Sequence, residues 1–356
     1  MRPQVRFCTS GDGVRLAYAI SGSGPRLVRA PHWFTHLEHD WTNPAIVPWV
    51  AGLSRHYSLL RFDQRGSGLS DRDVPEISFE AWVRDLACVV NSAKLEQFAL
   101  VGLSQGAAIA VAYAARYPER VSRLILYGGY ARGWAMRGLP AERMEQMDTL
   151  AKLIEVGWGS DDPSFRQVFT TQFMPDASLD IIHGFNAMMP LSASGETAVK
   201  TYRAFGTIDV QTEAAQVRCP SLVLHVRGDL RVPSEEGRLL AALIPGAHFV
   251  LLESRNHMLM ENEPAWRECI EAVLDFYPGA ALAPAAFPDL TGRERDILEL
   301  IAQGLDNAQT AARLELSEKT VRNHITHIFD KIQVENRSQA IVMAREAGFG
   351  SSRTER

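Results

Sequence analysis

At 356 residues the chain is longer than one ordinary compact domain and suggests about two, at the usual 100 to 200 residues each. Its 46% hydrophobic and 22% charged residues are ordinary for a folded protein, which excludes disordered and fibrous architectures. With 37 Lys and Arg against 42 Asp and Glu, the net charge of −5 gives no global support for a nucleic-acid or membrane partner, so any such partner has to be argued locally.

The start, MRPQVRFCTSGDGVRLAY, lacks the apolar run of a secretory signal, and no apolar stretch approaches the roughly 18 residues of a membrane span. The expectation is a cytoplasmic protein with no membrane partner. Cys8, Cys88, Cys219 and Cys269 form no CxxC pair and the histidines do not cluster, so the reading is buried thiols, no metal site and no cofactor. From the start to about residue 130, β-type runs alternate with helical segments: 14–20, 26–30, 57–62, 98–102 and 123–128. This alternation reads as α/β.

Residues 131–212 lose the strand signal and carry Trp, Met and Phe side chains such as Trp134, Met147, Trp158, Phe173 and Phe185, as a helical insertion would. Most should form that insertion's own core, and some should face a small, largely apolar ligand. Strands resume at 221–226 and 248–252, followed by a helix at about 264–276, so one domain spans 1–278 and the insertion interrupts its sheet. The Pro, Ala and Gly-rich segment 279–288 reads as a linker. Beyond it lies a small all-helical domain, 289–350, with a short tail at 351–356. Thr291, Asn307, Ser317 and Ser338 each precede a helical run there, and Thr291 with Glu294 fits a capping box.

GLSQG at 102–106 sits between an apolar strand and a helix-like run, the context of a nucleophile elbow. Gly102 and Gly106 remove side chains that would collide where the helix folds back on the strand, which leaves the Ser104 hydroxyl exposed. A serine hydroxyl needs a base oriented by a carboxylate, and in this context they follow in the order serine, acid, histidine. Asp229, past the strand SLVLHV, and His257, past HFVLL, stand in that order. Separately, each has an ordinary reading, as a turn residue and as a packed histidine. Three such residues in order, each just beyond a strand, favour the catalytic one.

DQRGSGLSD (63–71), GLSQG, YPERV, RGDLRVP and RNHMLMENEP together resemble the α/β-hydrolase family over essentially all of 1–278. The resemblance implies Ser104 as nucleophile, His257 as general base and Asp229 as its orienting acid. It also implies an oxyanion hole built from the backbone N–H groups of Gln105 and Trp33. Trp33 ends the run Ala30-Pro31-His32-Trp33, where many relatives have His-Gly followed by the donor residue.

Near the C-terminus, Val321, Ile325, Ile328, Phe329 and Ile332 recur at helical spacing, while Arg322, Asn323 and Thr326 share another face. Arg and Asn on a free face suit guanine and adenine edges in the major groove. A solvated face on an interaction module is the alternative, and 10 Lys or Arg against 11 Asp or Glu over 289–356 leave it open. LTGRERDILELIAQG, LSEKTVRNHITHIFDKI and NRSQA closely resemble the LuxR-type helix-turn-helix domain. The resemblance implies a support helix at about 308–314 and a recognition helix from near Glu318 reading double-stranded DNA. Arg322, Asn323 and Thr326 would face bases, Lys319, Thr320 and Lys331 would contact phosphates, and the chain would act as a homodimer. The expected function is a transcription regulator whose α/β-hydrolase domain binds, and in one version hydrolyses, an ester- or lactone-like signal. The alternative is an esterase or lactonase whose helical domain serves only localisation or dimerisation.

Overall fold

The computed structural model describes residues 4–162, 164–279, 287, 289–314, 316–347 and 349–350. It divides into two compact units, 1–280 and 281–356. The linker expected at 279–288 falls almost wholly outside the described residues, and the tail at 351–356 does so entirely.

The first unit is built on eight strands: β1 (Val5–Thr9), β2 (Arg15–Ser21), β3 (Arg26–Arg29), β4 (Ser58–Phe62), β5 (Phe98–Leu103), β6 (Val121–Tyr127), β7 (Ser221–Val226) and β8 (His248–Leu252). Their order in the sheet is β1-β2-β4-β3-β5-β6-β7-β8. β2 pairs antiparallel with β1 and β4, and every pairing from β4 to β8 is parallel. Parallel strands covered on both faces become continuous apolar runs, and β4 and β7 are buried at every position. β1 was not anticipated: it is an edge strand whose side chains are half-buried or exposed, so it carries no apolar run to read.

The covering helices are α1 (Val47–His56), α2 (Phe79–Ser92) and α3 (Gln105–Arg116), then α4 (Ala141–Gly157), α5 (Ser164–Phe173), α6 (Leu179–Ser192), α7 (Gly195–Gly206) and the short α8 (Gln211–Ala214), then α9 (Ser234–Leu243) and α10 (Pro264–Phe276). Helix α3 is buried from Gln105 to Ala114, and its alanines let it lie close against β5. Helices α4 to α8 come between β6 and β7, which are direct neighbours, so the helical insertion interrupts an otherwise continuous sheet. Within it Trp158, Phe169, Met174, Met188 and Met189 are buried in the core. No described helix is long and apolar enough to cross a membrane.

The cysteines are free, but only Cys269 is buried. Cys8 and Cys88 are half-buried, with sulfurs 3.7 Å apart across β1 and α2.

The second unit contains α11 (Gly292–Ala302), α12 (Asn307–Leu314), α13 (Glu318–Ile332) and α14 (Arg337–Glu346) around a core of Ile297, Leu298, Ile301, Val321, Ile325, Ile328 and Ile332. Thr291 and Glu294 form the capping box, and the Ser317 hydroxyl accepts from the Thr320 amide. Two expected caps lie elsewhere. Asp306 caps α12, because its carboxylate and the Gln309 side chain satisfy each other's amides, and Asn307 instead accepts from Arg337. Asn336 caps α14 by accepting from the Gln339 amide, which leaves Ser338 inside the helix.

Candidate functional site

Ser104 joins β5 to α3 with φ +52° and ψ −123°, a left-handed backbone that a non-glycine residue adopts at a cost of order 1 to 3 kcal/mol. The turn is held by the Ser104 amide on the Tyr127 carbonyl at 2.8 Å and the Ala107 amide on the Ser104 carbonyl at 3.0 Å. A Cβ at Gly102 would lie 2.6 Å from Ala107 Cα, so this glycine lets the helix fold back on the strand. Gly106 serves differently: a Cβ there would lie 2.7 Å from the Pro31 carbonyl, so it admits the loop that follows β3.

Asp229 follows β7 in a tight turn where one carboxylate oxygen accepts from the Arg231 and Val232 amides at 2.7 and 2.9 Å. Its other oxygen lies 2.6 Å from His257 Nδ1, and since a carboxylate only accepts, Nδ1–H donates and Nε2 remains the basic nitrogen. Burial raises the Asp229 pKa, but the charge and hydrogen bond of His257 and the Val232 amide outweigh it and hold the carboxyl below its ordinary range. His257 is buried on a loop fixed by Glu263, whose carboxylate accepts from the Met260 amide, the Asn256 side chain and the Ser254 hydroxyl. Gly128, at φ +58°, backs the imidazole: a Cβ there would lie 2.9 Å from His257 Cε1.

Ser104 and His257 line one cavity of about 220 Å³, and Gln105, His32 and Trp33 line it too. No described hydrogen bond engages the backbone N–H of Gln105 or of Trp33. The Trp33 indole packs among the rings of Trp158, Tyr202 and Phe205 at 5.4 to 5.9 Å. Burial and then the nearby Arg29 charge push the His32 pKa down to about 4, so its ring is neutral near pH 7. The insertion supplies Trp134, Met147, Phe173, Phe185 and Phe205 to the cavity wall.

The sequence reading missed two features. His225, buried on β7, donates Nε2–H to the Val232 carbonyl and lies 3.6 Å from the Asp229 carboxylate. Among the described residues four arginines, Arg29, Arg137, Arg143 and Arg231, line the cavity, and no Asp or Glu does. Arg29 lies in the β-type run 26–30 and Arg231 in RGDLRVP, but nothing in a sequence says which way a side chain points.

In the second unit Lys319, Arg322, Asn323 and Thr326 are exposed on α13, opposite buried Val321, Ile325 and Ile328. Thr320 is half-buried with its hydroxyl on Ser317, and the Thr326 hydroxyl donates to the Arg322 carbonyl. Lys331, the third expected phosphate contact, is exposed, and its ammonium holds both oxygens of Glu294 at 2.7 and 3.0 Å. This pair ties the end of α13 to the capping box of α11. Burial raises the Glu294 pKa, but Lys331 and the Thr291 amide outweigh it and bring the carboxyl down to about 2. Glu294 therefore stabilises the unit fully above its unfolded pKa of roughly 4.3, and that contribution fades as pH falls towards about 2. Glu294→Ala is expected to cost about 1 to 3 kcal/mol, the range for a hydrogen bond to a charged group. Hydrogen exchange of the α13 amides in the full chain checks it, and unchanged protection at pH 7 contradicts it.

Residues 36–264 match the family described as alpha/beta hydrolase fold, and residues 288–344 match bacterial regulatory proteins of the luxR family. Over 256 residues the chain is 25% identical to a pyrrolizixenacetamide deacetylase of Xenorhabdus hominickii, covering 71% of this chain and 91% of that protein. A 2-hydroxy-6-oxo-2,4-heptadienoate hydrolase of Pseudomonas putida is 27% identical over 241 residues, 63% of this chain and 76% of its own. Among solved structures, an enol-lactonase from Burkholderia xenovorans LB400 aligns with TM-score 0.55 and 26% identity over 76% of this chain and 99% of its own. A hydrolase from Pseudomonas aeruginosa PA01 aligns with TM-score 0.64 over 78% of this chain and 99% of its own; at 23% identity it speaks to fold alone.

Proposed function

Because the chain belongs to the α/β-hydrolase fold family and carries a C-terminal LuxR-type DNA-binding domain, we propose that it is a transcription regulator whose hydrolase domain, 1–278, binds and hydrolyses a small ester or lactone and thereby controls DNA binding by residues 289–350. The observation that carries the reading is Ser104 on its strained turn in one cavity with His257, whose Nδ1 is held by buried Asp229 at 2.6 Å. In this reading Ser104 Oγ attacks the acyl carbon while His257 Nε2 takes its proton and returns it to the leaving alcohol. Water, deprotonated in turn by His257, then releases the acid and restores the serine. The Gln105 and Trp33 amides, without another partner among the described residues, would hold the oxyanion.

The deacetylase, dienoate hydrolase and enol-lactonase relatives support hydrolysis as the reaction class. For DNA reading, Arg322, Asn323 and Thr326 would face bases in the major groove, while Lys319 and the neighbouring Thr320 would approach phosphates. A cytoplasmic homodimer on paired half-sites goes with this reading.

The test is a panel of acyl esters and lactones given to the native chain for turnover and to Ser104→Ala for binding. Affinity should rise by up to ~0.8 kcal/mol per added CH₂ until the cavity of about 220 Å³ is full. A family of compounds that binds Ser104→Ala yet is never hydrolysed by the native chain would reduce the domain to a binding module. Turnover with no effect on DNA affinity would favour the enzyme reading.

A further inference from the structure

Of the four arginines, Arg29 and Arg137 have a carboxylate within 4 Å, Asp40 and Glu236, and Arg143 is exposed to solvent. Arg29 shares the Asp40 carboxylate with Arg61, Arg137 donates to the Arg132 carbonyl, and Arg143 donates to the Gln146 side chain. Arg231 stands apart. Its guanidinium lies over the rings of Tyr202, Phe173 and Trp33 at 5.3, 5.5 and 6.0 Å, and its side-chain hydrogen bonds go to neutral groups, the Tyr202 hydroxyl and, at 3.4 Å, the Gln172 amide oxygen. No carboxylate lies within 4 Å of it among the described residues. Ring faces attract a cation but take few of the five N–H donors of a guanidinium, so most of that fork is unspent. Its backbone is fixed as well, since the Arg231 amide donates to Asp229, the residue that holds His257.

A half-buried cation in a wall of Trp, Phe and Tyr, with no acidic side chain lining the cavity, is a site whose counter-charge is to be brought by the ligand. We propose that the cavity selects a ligand carrying a carboxylate as well as its ester or lactone carbonyl, and that Arg231 seats that carboxylate. The inference rests on the hydrolase reading for the carbonyl end and on Arg231 for the other. A carboxylate fits better than a phosphate dianion, because its two coplanar oxygens match the guanidinium fork and its single charge is balanced by one arginine. The aromatic and aliphatic walls then hold the chain between the two ends, which makes the ligand an acid ester and not a simple greasy one.

The test compares monomethyl adipate, dimethyl adipate and the methyl ester of aminocaproic acid, an anion, a neutral diester and a cation of similar length, by calorimetric titration of the full chain bearing Ser104→Ala. The anion is expected to bind at least tenfold more tightly than the neutral diester, and the cation more weakly than both. Adding Arg231→Gln should bring the ratio of anion to diester affinity near one, and Arg231→Lys should leave it in between, since the charge stays and the fork is lost. Equal affinities for anion and diester, no measurable binding of the anion, or a ratio that survives Arg231→Gln overturns the assignment. The comparison of three ligands on Ser104→Ala alone decides the case if the arginine variants do not fold. Labelling of the native chain by a neutral fluorophosphonate reads the serine independently: labelling without an anion preference rejects the Arg231 proposal and keeps the hydrolase, and an anion preference without labelling does the reverse.

Discussion

Ser104→Ala is expected to lower ester turnover by a factor on the order of 10⁴ to 10⁶, because nucleophile, base and orienting acid act as one unit. His257→Ala should cost about as much, and the double variant little more than either single one. Asp229→Asn should cost on the order of 10⁴, since an amide at 2.6 Å from Nδ1 stabilises neither the required tautomer nor the imidazolium. Progress curves for any ester turned over by the native chain, compared at equal protein folding, supply the measurement. Retention of a tenth or more of native turnover in Ser104→Ala contradicts the assignment of the nucleophile. Additive losses in the double variant contradict the joint action of serine and histidine.

The second large effect is expected on α13. Arg322→Ala should cost ~1 to 3 kcal/mol in affinity for the selected duplex and relax preference at one base pair, because a bidentate base contact discriminates by about that amount. Lys319→Ala should instead weaken all sequences alike and reduce the slope of log affinity against log salt by about one, as one phosphate contact fewer releases one counterion fewer. Lys331 is set apart by its hold on Glu294, so its loss is expected to show first as reduced stability of the unit. Selection from random duplexes by the native chain and each variant checks all three, and an unchanged motif with Arg322→Ala removes that residue from base reading.

Much of this was legible in the sequence because the relevant residues sit at ends of elements that periodicity reveals. The buried parallel strands β3 to β7 are apolar runs, Ser104 and Asp229 fall just past two of them, and His257 follows the next strand, β8. Likewise the buried face of α13 is written in Val321, Ile325, Ile328 and Ile332, and what remains exposed follows by subtraction. Edge strand β1 was not legible, since it has no face to bury. Neither was the direction of Arg231, which depends on rings contributed by the loop after β3, by α5 and by α7. The pairing of Lys331 with Glu294 was not legible either, because Glu294 lies 37 residues earlier and reads as a cap. Asp306 and Asn336 took the caps expected of Asn307 and Ser338 because their geometry, not their residue type alone, met the first free amides.

In the proposed function, occupancy of the hydrolase cavity and DNA binding by α13 are energetically coupled. Coupling is reciprocal, so one titration reads it from either side. The 356-residue chain bearing Ser104→Ala, which should retain ligand without consuming it, is titrated with its selected duplex in the absence and in the presence of saturating ester ligand. Duplex affinity is expected to change roughly fivefold or more, the usual lower size of an allosteric coupling, with the same factor appearing in ligand affinity when DNA is added. Identical duplex affinities with the cavity empty and full contradict it.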